Sequence, residues 1–252
     1  MLKTRIIPAL LLQNESLVKT VRFSKPGYIG DPINTVRIFN ELEVDELVFL
    51  DITATNEKHE PNYKILAEIA NECFMPLGYG GGVNSLEQAK QIFSIGYEKI
   101  VLNSASHINI ELINQIAEVY GNQAVIISID VKKNIWGKYE VWSHAGKQNT
   151  KKDPVEWAKK VEQLGAGEIL LTSIDREGTW AGFDINLVRK VTDTVTIPVI
   201  AHGGAGIIEH ICEVVKNGNA SAVALGSMVV YQQKGMGVLV NFPVNKDLNL
   251  HT

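Results

Sequence analysis

The sequence is poor in cysteine: among its 252 residues, only Cys73 and Cys212 carry a thiol. Both fall on apolar stripes with helical spacing, which predicts packed thiols and not a disulfide bond. Proteins that depend on disulfide frameworks work in oxidising surroundings, so this scarcity favours a reducing compartment. We therefore expect a cytoplasmic protein.

The sequence also lacks long apolar runs and a strong excess of charge. No segment approaches the roughly 20 apolar residues that a membrane-spanning helix requires. The apolar run near the N-terminus is short and has no small-residue cleavage site, which favours a first strand over a signal peptide. A formal net charge of −4 gives no support for nucleic-acid binding. The histidines show no metal-ligand spacing, so neither a metal nor another cofactor is predicted.

Eight segments with strand character alternate with helical segments along the chain. They are residues 5–11, 46–52, 76–80, 99–103, 124–130, 168–173, 197–201 and 221–225. This alternation predicts an α/β fold with a parallel sheet, and eight strands are the number that closes a (β/α)8 TIM barrel. No linker or change in composition divides the chain, so residues 1–252 are predicted to form one domain.

Two connections depart from this rhythm. Residues 12–31 form a long, mostly polar stretch, which is predicted to be a functional or disordered loop. Residues 138–143 alternate between polar and apolar side chains, which indicates a hairpin carried in the connection after the fifth strand.

Each half of the chain contains a glycine-rich turn that is followed, one unit later, by a small polar turn. The pairs are residues 80–82 with Asn103 and Ser104, and residues 203–206 with Gly226 and Ser227. Glycines let backbone N–H groups approach an anion, so the doubled pattern predicts a ligand with a phosphate at each end. It also indicates a barrel built from two similar half-barrels. The alternative is that these glycines serve only the tight turns.

Asp130 stands at the carboxyl end of the most apolar strand, where parallel α/β folds place their chemistry. With Asp51 and Lys132 it would lie in the middle of the barrel mouth, and its carboxylate could act as a general acid or base. Lys19 could hold a phosphate or keep a loop closed. The alternative for Asp130 is a solvated, inert carboxylate, and a hydrogen-bonded turn residue is the favoured interpretation of His202.

Four charged residues of alternating sign stand at the starts of strands, at the opposite end of the predicted barrel. They are Arg5, Glu46, Lys99 and Glu168. Such charges could simply stabilise the fold. If they meet as a ring of salt bridges, they would close the barrel axis and could act as a gate.

Four segments together resemble the cyclase subunit of imidazole glycerol phosphate synthase, and the resemblance covers residue 5 to about residue 229. They are DELVFLDITA at residues 45–54, GGG at 80–82, GAGEILLTSIDREGT at 165–179 and GGAG at 203–206. The resemblance implies a half-barrel duplication, a bis-phosphorylated substrate across the mouth and a glutaminase docked at the bottom. It implies that ammonia passes the gate formed by Arg5, Glu46, Lys99 and Glu168. It also assigns Lys19, Asp51, Gly82, Asn103, Gly178, Gly204 and Ser227 to the mouth.

The sequence departs from that family at three places. The family uses two catalytic aspartates, and one of them is Asp130, but the position of the other is occupied by Leu11. Glu177 stands where the family usually has aspartate, and KGMGVLVNFPVNKDL replaces a normal eighth helix. These departures resemble a paralogous branch from surface-polysaccharide gene clusters. In that branch, a glutaminase and a sugar amidotransferase are thought to help convert an acetamido group into an acetamidino group.

Three hypotheses follow from the resemblance. The chain is an ammonia-accepting synthase subunit that acts on a phosphorylated or nucleotide-linked sugar, with Asp130 as acid and base. Alternatively, it is an authentic cyclase of histidine biosynthesis that tolerates Leu11. In the third hypothesis, it is a non-catalytic scaffold that only conducts ammonia.

Overall fold

The apolar segments of the sequence form strands in the structure, a computed structural model that describes residues 4–243. The strands are β1 (Arg5–Gln13), β2 (Ser16–Val21), β3 (Ser24–Gly30), β4 (Leu47–Asp51), β5 (Leu77–Gly80), β6 (Lys99–Leu102), β7 (Val125–Lys133), β8 (Tyr139–Ser143), β9 (Gln148–Asn149), β10 (Glu168–Ser173), β11 (Val199–His202) and β12 (Ala222–Leu225). The helices are α1 (Pro32–Glu41), α2 (Ala54–Glu57), α3 (Tyr63–Glu72), α4 (Leu86–Ile95), α5 (Ser104–Ile108), α6 (Glu111–Tyr120), α7 (Pro154–Gln163), α8 (Ile185–Thr192), α9 (Ile208–Gly218) and α10 (Ser227–Val230).

Eight of these strands pair in parallel and close into a barrel, which confirms the predicted (β/α)8 TIM-barrel fold. Their order around the barrel is β1, β4, β5, β6, β7, β10, β11 and β12, and β12 pairs with β1 again. Strands β6 and β7, which meet at the boundary between the two halves of the chain, pair in parallel like the other neighbouring strands, with Ile100 opposite Val125. That the chain is a single domain stays a prediction.

The strands are apolar on both faces because each face has its own core. Alternate side chains such as Ile6 and Leu10 pack outward against the helices. The residues between them point into the barrel, where a second, smaller cluster fills the axis. It contains Ile7, Ala9, Val48, Val101, Ile126, Leu170, Ile200, Ala222 and Ala224. Filling by inward side chains is what makes such a barrel a packed core and not an open pore.

Two helices begin at side-chain caps of the residue types that favour them, and a third does not. Asp153 accepts hydrogen bonds from the backbone N–H groups that open α7, and Ser85 accepts one from the N–H of Gln88 in α4. Asn109 precedes the next helical segment, and asparagine is a residue type that favours an N-terminal cap, but it does not cap that helix. It is the C-terminal cap of the short helix α5, and Ile110 precedes α6 without a side-chain cap.

The stretch between β1 and α1 is a β-hairpin, so the prediction of a loop at residues 12–31 is wrong. Its strands β2 and β3 pair antiparallel, and β2 also pairs with the end of β1. Leu17, Val18 and Ile29 are buried in this hairpin, and they supply the apolar contacts that a loop would lack. The hairpin predicted after the fifth strand is present as β7 and β8.

The C-terminal segment departs from a regular barrel unit, as expected. The short helix α10 is followed by an isolated bridge between Tyr231 and Val238, and residues 234–243 contain no helix. The remainder of the unusual C-terminal sequence, from residue 244, lies outside the described residues. Cys73 and Cys212 are free and partly buried. Among the helices of residues 4–243, none combines the length and apolar character needed to cross a membrane.

Candidate functional site

A cavity of about 420 Å³ opens at the carboxyl ends of the barrel strands. The ends of β4, β5, β6 and β10 contribute Asp51, Gly80, Leu102 and Thr172 to its wall, and β1 contributes Leu11. Because active sites of (β/α)8 barrels lie at this face, the cavity is the candidate functional site.

Asp130 lies in the wall of this cavity and is buried. The Ser128 hydroxyl donates to Oδ1 at 3.2 Å, and the Asn103 side-chain amide donates to Oδ2 at 3.1 Å. Burial raises the pKa of Asp130 to about 7, while hydrogen bonds from Ser128 and Thr172 oppose the rise. A carboxyl that titrates near neutral pH can both take and give a proton, which is the requirement for general acid–base chemistry.

Thr172 and His202 continue the polar network beside Asp130. Thr172 Oγ1 lies 3.1 Å from His202 Nδ1, and burial, followed by the nearby charge of Lys19, lowers the pKa of His202 to about 3. Since Thr172 has one hydroxyl proton and gives it to Asp130, Nδ1 must carry the ring proton. His202 is therefore a neutral imidazole that orients Thr172, and sequence reasoning missed this role. The available signal was the alternation along strand β10: Glu168, Leu170 and Thr172 are two residues apart, so all three side chains point into the barrel, and this places Thr172 at the mouth.

The first glycine turn belongs to the cavity. Gly80, Gly81 and Gly82 line it together with Asn103 and Ser104. That they bind one end of a ligand stays a prediction. Gly82 has φ +71°, and a Cβ there would lie 3.0 Å from Ala54 Cβ, so this backbone requires glycine.

The loop after β8 contacts Ser104, beside the first glycine turn in the cavity wall. The backbone N–H of His144 donates to Ser104 Oγ at 2.9 Å, and Lys147 also lines the cavity. Lys147 was not singled out from the sequence, because it follows a hairpin far from either glycine turn in the chain.

The second glycine turn does not reach the cavity. Gly203, Gly204 and Ser227 are buried, and the lining residues include none of them. A Cβ on Gly204 would meet Gly182 O at 2.1 Å, and a Cβ on Gly226 would meet Lys19 Nζ at 2.5 Å. The two turns that look alike in the sequence therefore have different surroundings.

Lys19 forms a buried ion pair with Glu177, with 3.4 Å between Nζ and Oε1. The Thr20 hydroxyl and the Phe23 backbone N–H donate to the same carboxylate, each at 3.0 Å. Gly178 lies directly under this hairpin, because a Cβ there would come within 2.5 Å of Thr20 O. The sequence indicated Glu177 only as a departure from a family pattern, not as the anchor of the β2–β3 hairpin.

Asp51 faces the cavity but serves its own turn. Its Oδ1 accepts hydrogen bonds from the Thr53 N–H and hydroxyl at 2.8 Å, and from the Ala54 N–H at 3.0 Å. Oδ2 has no hydrogen bond to another described residue. Asp51 is therefore held rigidly at the rim, with one carboxylate oxygen available to a ligand.

At the opposite end, the four predicted charges form a closed ring. Arg5 donates to Glu46 at 2.8 Å and to Glu168 at 3.0 Å. Lys99 donates to the same two carboxylates, at 2.9 Å and 3.2 Å. Each residue thus has two oppositely charged neighbours, and the ring crosses the barrel axis below the apolar inner cluster. Glu168 Oε2 is buried and has no partner among the described residues.

Residues 4–243 contain no group of three His, Cys, Asp or Glu side chains that could hold a metal ion.

The structure is a (β/α)8 barrel with a buried carboxyl group in its mouth and a ring of four charged side chains across its lower end. Residues 5–235 match the family described as histidine biosynthesis protein, and the chain belongs to that family.

Three relatives cover nearly the whole chain. The imidazole glycerol phosphate synthase subunit hisF2 of Pseudomonas aeruginosa, a provisional name, is 49% identical over 98% of both chains. The subunit HisF of Leptospira interrogans, also provisionally named, is 45% identical over 98% of both chains. The synthase subunit HisF of Methanococcus vannielii is 42% identical over 92% of this chain and 93% of its own.

Proposed function

We propose that the chain is the ammonia-accepting subunit of a glutamine-dependent synthase, of the same type as the imidazole glycerol phosphate synthase subunits named HisF. Its substrate would be a nucleotide-linked sugar that is amidinated for a surface polysaccharide. The observation that carries this proposal is the mouth itself, where Asp130 is a buried acid and Leu11 occupies the wall at the position of a second acid.

The acid–base chemistry of this proposal needs a single group that moves a proton in both directions. When ammonia condenses with a carbonyl carbon, a C–N bond forms, nitrogen loses protons, and the oxygen leaves as water. Asp130, with a pKa near 7, would take a proton from the nitrogen and return it to the departing oxygen. Asn103 and Ser128 hold its carboxylate in place for both transfers.

The ring of Arg5, Glu46, Lys99 and Glu168 supports a nitrogen source at the other end of the barrel. A glutaminase docked there would release ammonia below the ring, and ammonia would reach the mouth along the apolar axis. The side chain of Arg5 is 30% exposed, against 4% for Glu46, so the ring is accessible from below through Arg5. A sugar amidotransferase would complete the assembly at the mouth.

The second candidate is ring closure in histidine biosynthesis, which the names of the relatives favour. It requires two carboxyl groups in the mouth, and leucine cannot exchange a proton. We expect the purified chain to show no ring closure with the ribulosyl-aminoimidazole substrate and an ammonium salt. Rapid turnover in that assay would make this chain a cyclase and would overturn our preference.

The third candidate is a scaffold that conducts ammonia without doing chemistry. Replacing Asp130 by asparagine in the assembled complex separates it from our proposal, because a conduit has no use for this proton. We expect Asp130→Asn to lower product formation at least about a hundredfold, the usual scale for a lost acid–base group. Glu68→Gln, on the outer helix α3, is the matched control and should leave the rate unchanged. Equal rates for wild type and Asp130→Asn would favour the scaffold.

A further inference from the structure

Three polar side chains stand side by side on three neighbouring strands of the barrel. Asp130 on β7 is the register partner of Thr172 on β10, and Thr172 is the register partner of His202 on β11. Register partners on neighbouring strands point to the same face of the sheet, and all three residues line the cavity. The fold thus places a carboxyl group, a hydroxyl group and an imidazole in one row at the mouth.

The row is linked by hydrogen bonds and ends at His202. Thr172 Oγ1 lies 3.1 Å from His202 Nδ1, and the same side chain hydrogen-bonds to the Asp130 carboxyl group. On the next strand, the register partner of His202 is Ala224, which adds no polar group to the row.

The second ring nitrogen of His202 is open to the cavity. Nε2 has no hydrogen-bond partner among residues 4–243. Unlike the unpartnered Nε1 of Trp157, it is not sealed from solvent, and the ring lines the cavity. A ligand in the cavity can therefore reach this nitrogen without displacing a protein group.

The carboxyl group at the other end of the row is less accessible. Asp130 is buried, its Oδ1 accepts a hydrogen bond from Ser128, and its Oδ2 accepts one from Asn103. A ligand that exchanged a proton directly with this group would compete with those donors. The row through Thr172 offers a route that leaves both hydrogen bonds in place.

A hydroxyl group between a carboxyl group and an imidazole permits two arrangements of the protons. When Asp130 is ionised, Thr172 donates to it, Nδ1–H donates to Thr172, and Nε2 is an acceptor. When Asp130 is protonated, it donates to Thr172, Thr172 donates to Nδ1, and the ring proton is on Nε2. The imidazole is neutral in both arrangements. This agrees with its surroundings, because burial, followed by the charge of Lys19, lowers the pKa of His202 to about 3.

We propose that His202 is a catalytic residue of the cavity, whose Nε2 exchanges protons with the ligand on behalf of Asp130 through the Thr172 hydroxyl. A ligand nitrogen gives its proton to Nε2, the Nδ1 proton passes to Thr172, and the Thr172 proton passes to Asp130. The reverse sequence returns a proton from Nε2 to the departing oxygen and restores the first arrangement. Each N–H or O–H bond that breaks is matched by one that forms. The proposal rests on the proposed function for the cavity as substrate site and for Asp130 as the acid–base group.

The charged groups around the row do not replace Thr172 in this role. Burial is the main reason that the pKa of Asp130 rises to about 7, and the charge of Glu177 adds to the rise. Lys19 faces His202, and Asp51 and Lys147 line the same cavity. Among the described residues, none of these four charged side chains hydrogen-bonds to the side chain of Thr172 or to the imidazole. The position of the ring proton should therefore follow the Thr172 hydroxyl.

The test measures the position of the ring proton by nitrogen-15 NMR on the full chain with labelled histidine. The two ring nitrogens are distinguishable by which of them carries hydrogen, and the signals of His202 are those missing from His202→Gln. For wild type we expect the proton to move from Nε2 to Nδ1 as the pH rises, with a midpoint at the pKa of Asp130, about 7. Asp130→Asn and Thr172→Val should each abolish this movement. Thr172→Ser, the matched control, keeps the hydroxyl and should retain it.

The proposal is overturned if the wild-type ring proton stays on one nitrogen through this titration, or if the ring becomes a cation during it. Movement that persists in Thr172→Val would also overturn it. The first two results need no variant, so they decide the question even if a variant does not fold.

Product formation in the proposed complex tests whether the relay serves catalysis. We expect His202→Gln to lower the rate at least about tenfold. Added to Asp130→Asn, it should lower the rate by less than about a further threefold, because groups that act as one unit are not additive. Additive losses would contradict the proposal. Absence of product with wild type would count against the proposed function instead, and the NMR titration of the chain alone would still decide the relay.

Discussion

Asp130 is buried, and its carboxyl group has hydrogen-bond partners in Ser128 and Asn103. Removal from water favours the neutral acid and raises the pKa of Asp130, whereas the hydrogen bonds from Ser128 and Thr172 favour the carboxylate, and the removal from water is the larger effect. The balance leaves a group that changes charge within the physiological pH range.

The pH dependence of the unfolding free energy should reveal the protonation of the Asp130 carboxyl group. The unfolded chain releases the proton near pH 4, whereas burial keeps it on folded Asp130, with a pKa of about 7. The stabilisation is therefore full below pH 4 and is lost as the pH rises through 7. We expect Asp130→Asn to remove up to about 4 kcal/mol of the fall in unfolding free energy between pH 4 and pH 8.

Urea unfolding of wild type and Asp130→Asn at pH 4 and pH 8 measures this difference. Glu68→Gln, an exposed carboxylate of α3, should keep the wild-type dependence. If wild type and Asp130→Asn lose the same free energy over this range, the carboxyl is ionised throughout and the assigned pKa is wrong.

For single residues, the sequence predicts which charged side chains at strand ends belong to the site better than it predicts the polar side chains that support them. Asp130 is conspicuous because five apolar residues and one serine precede it. Thr172 and Lys147 are not, since a threonine in a strand and a lysine in a loop are ordinary in any barrel. Their relation to the mouth depends on register and on loop packing, neither of which is encoded locally.

Among the elements, the turns after β5 and β11 carry most of the backbone constraint at the mouth. Gly81 and Gly204 have φ of +130° and +112°, and both pack against neighbouring backbone. These turns fix the distance at which a strand gives way to its helix. Glycine in them has a structural reason that is independent of any phosphate.

Replacement of Gly204 by alanine should therefore be severe. The alanine Cβ would lie 2.1 Å from Gly182 O. The alanine would also have to adopt a left-handed backbone conformation. We expect Gly204→Ala to cost more than about 3 kcal/mol of unfolding free energy. Gly137→Ala, at the exposed β7–β8 turn with φ +77° and open space around it, should cost only about 1–2 kcal/mol. Thermal unfolding of the two variants measures the contrast, and equal losses would mean that the second turn relaxes freely.

The β2–β3 hairpin shows why one element could not be predicted. Its strands contain Lys19, Lys25 and Gly27 among the apolar residues, so no clean alternation appears in the sequence. The hairpin is held by pairing with β1 and by Glu177, which is 158 residues from Lys19. Both contacts are long-range, and composition alone indicated a loop.

Across the whole molecule, the barrel separates two charged regions by an apolar axis. The ring below is neutral in sum, with two positive and two negative residues, and each charge is paired twice. The sequence predicted the four members because all of them stand at strand starts. Their contact could be expected only once closure of the barrel was assumed, since closure is what brings four distant strands to one axis.

The ring should matter for stability and for the route of nitrogen. Lys99→Met leaves Glu46 and Glu168 sharing Arg5 alone, so we expect a loss of about 3 kcal/mol in unfolding free energy, as for other broken buried pairs. In the proposed complex with a glutaminase, the glutamine-driven rate should change several-fold while the rate with ammonium salts changes little.

The ratio of the glutamine-driven rate to the rate with ammonium salts measures gating separately from folding. Lys64→Met, on the outer face of α3, is the matched control and should change neither rate. If Lys99→Met keeps wild-type stability and an unchanged ratio, the ring contributes neither to stability nor to gating.

The buried pair of Lys19 and Glu177 joins the first half-barrel to the second. A chimera that takes one half from a relative without the matching residue would inherit a lone charge sealed from solvent. Lys19 and Glu177 therefore form one structural unit, and engineers who recombine half-barrels of this kind would have to transplant them together.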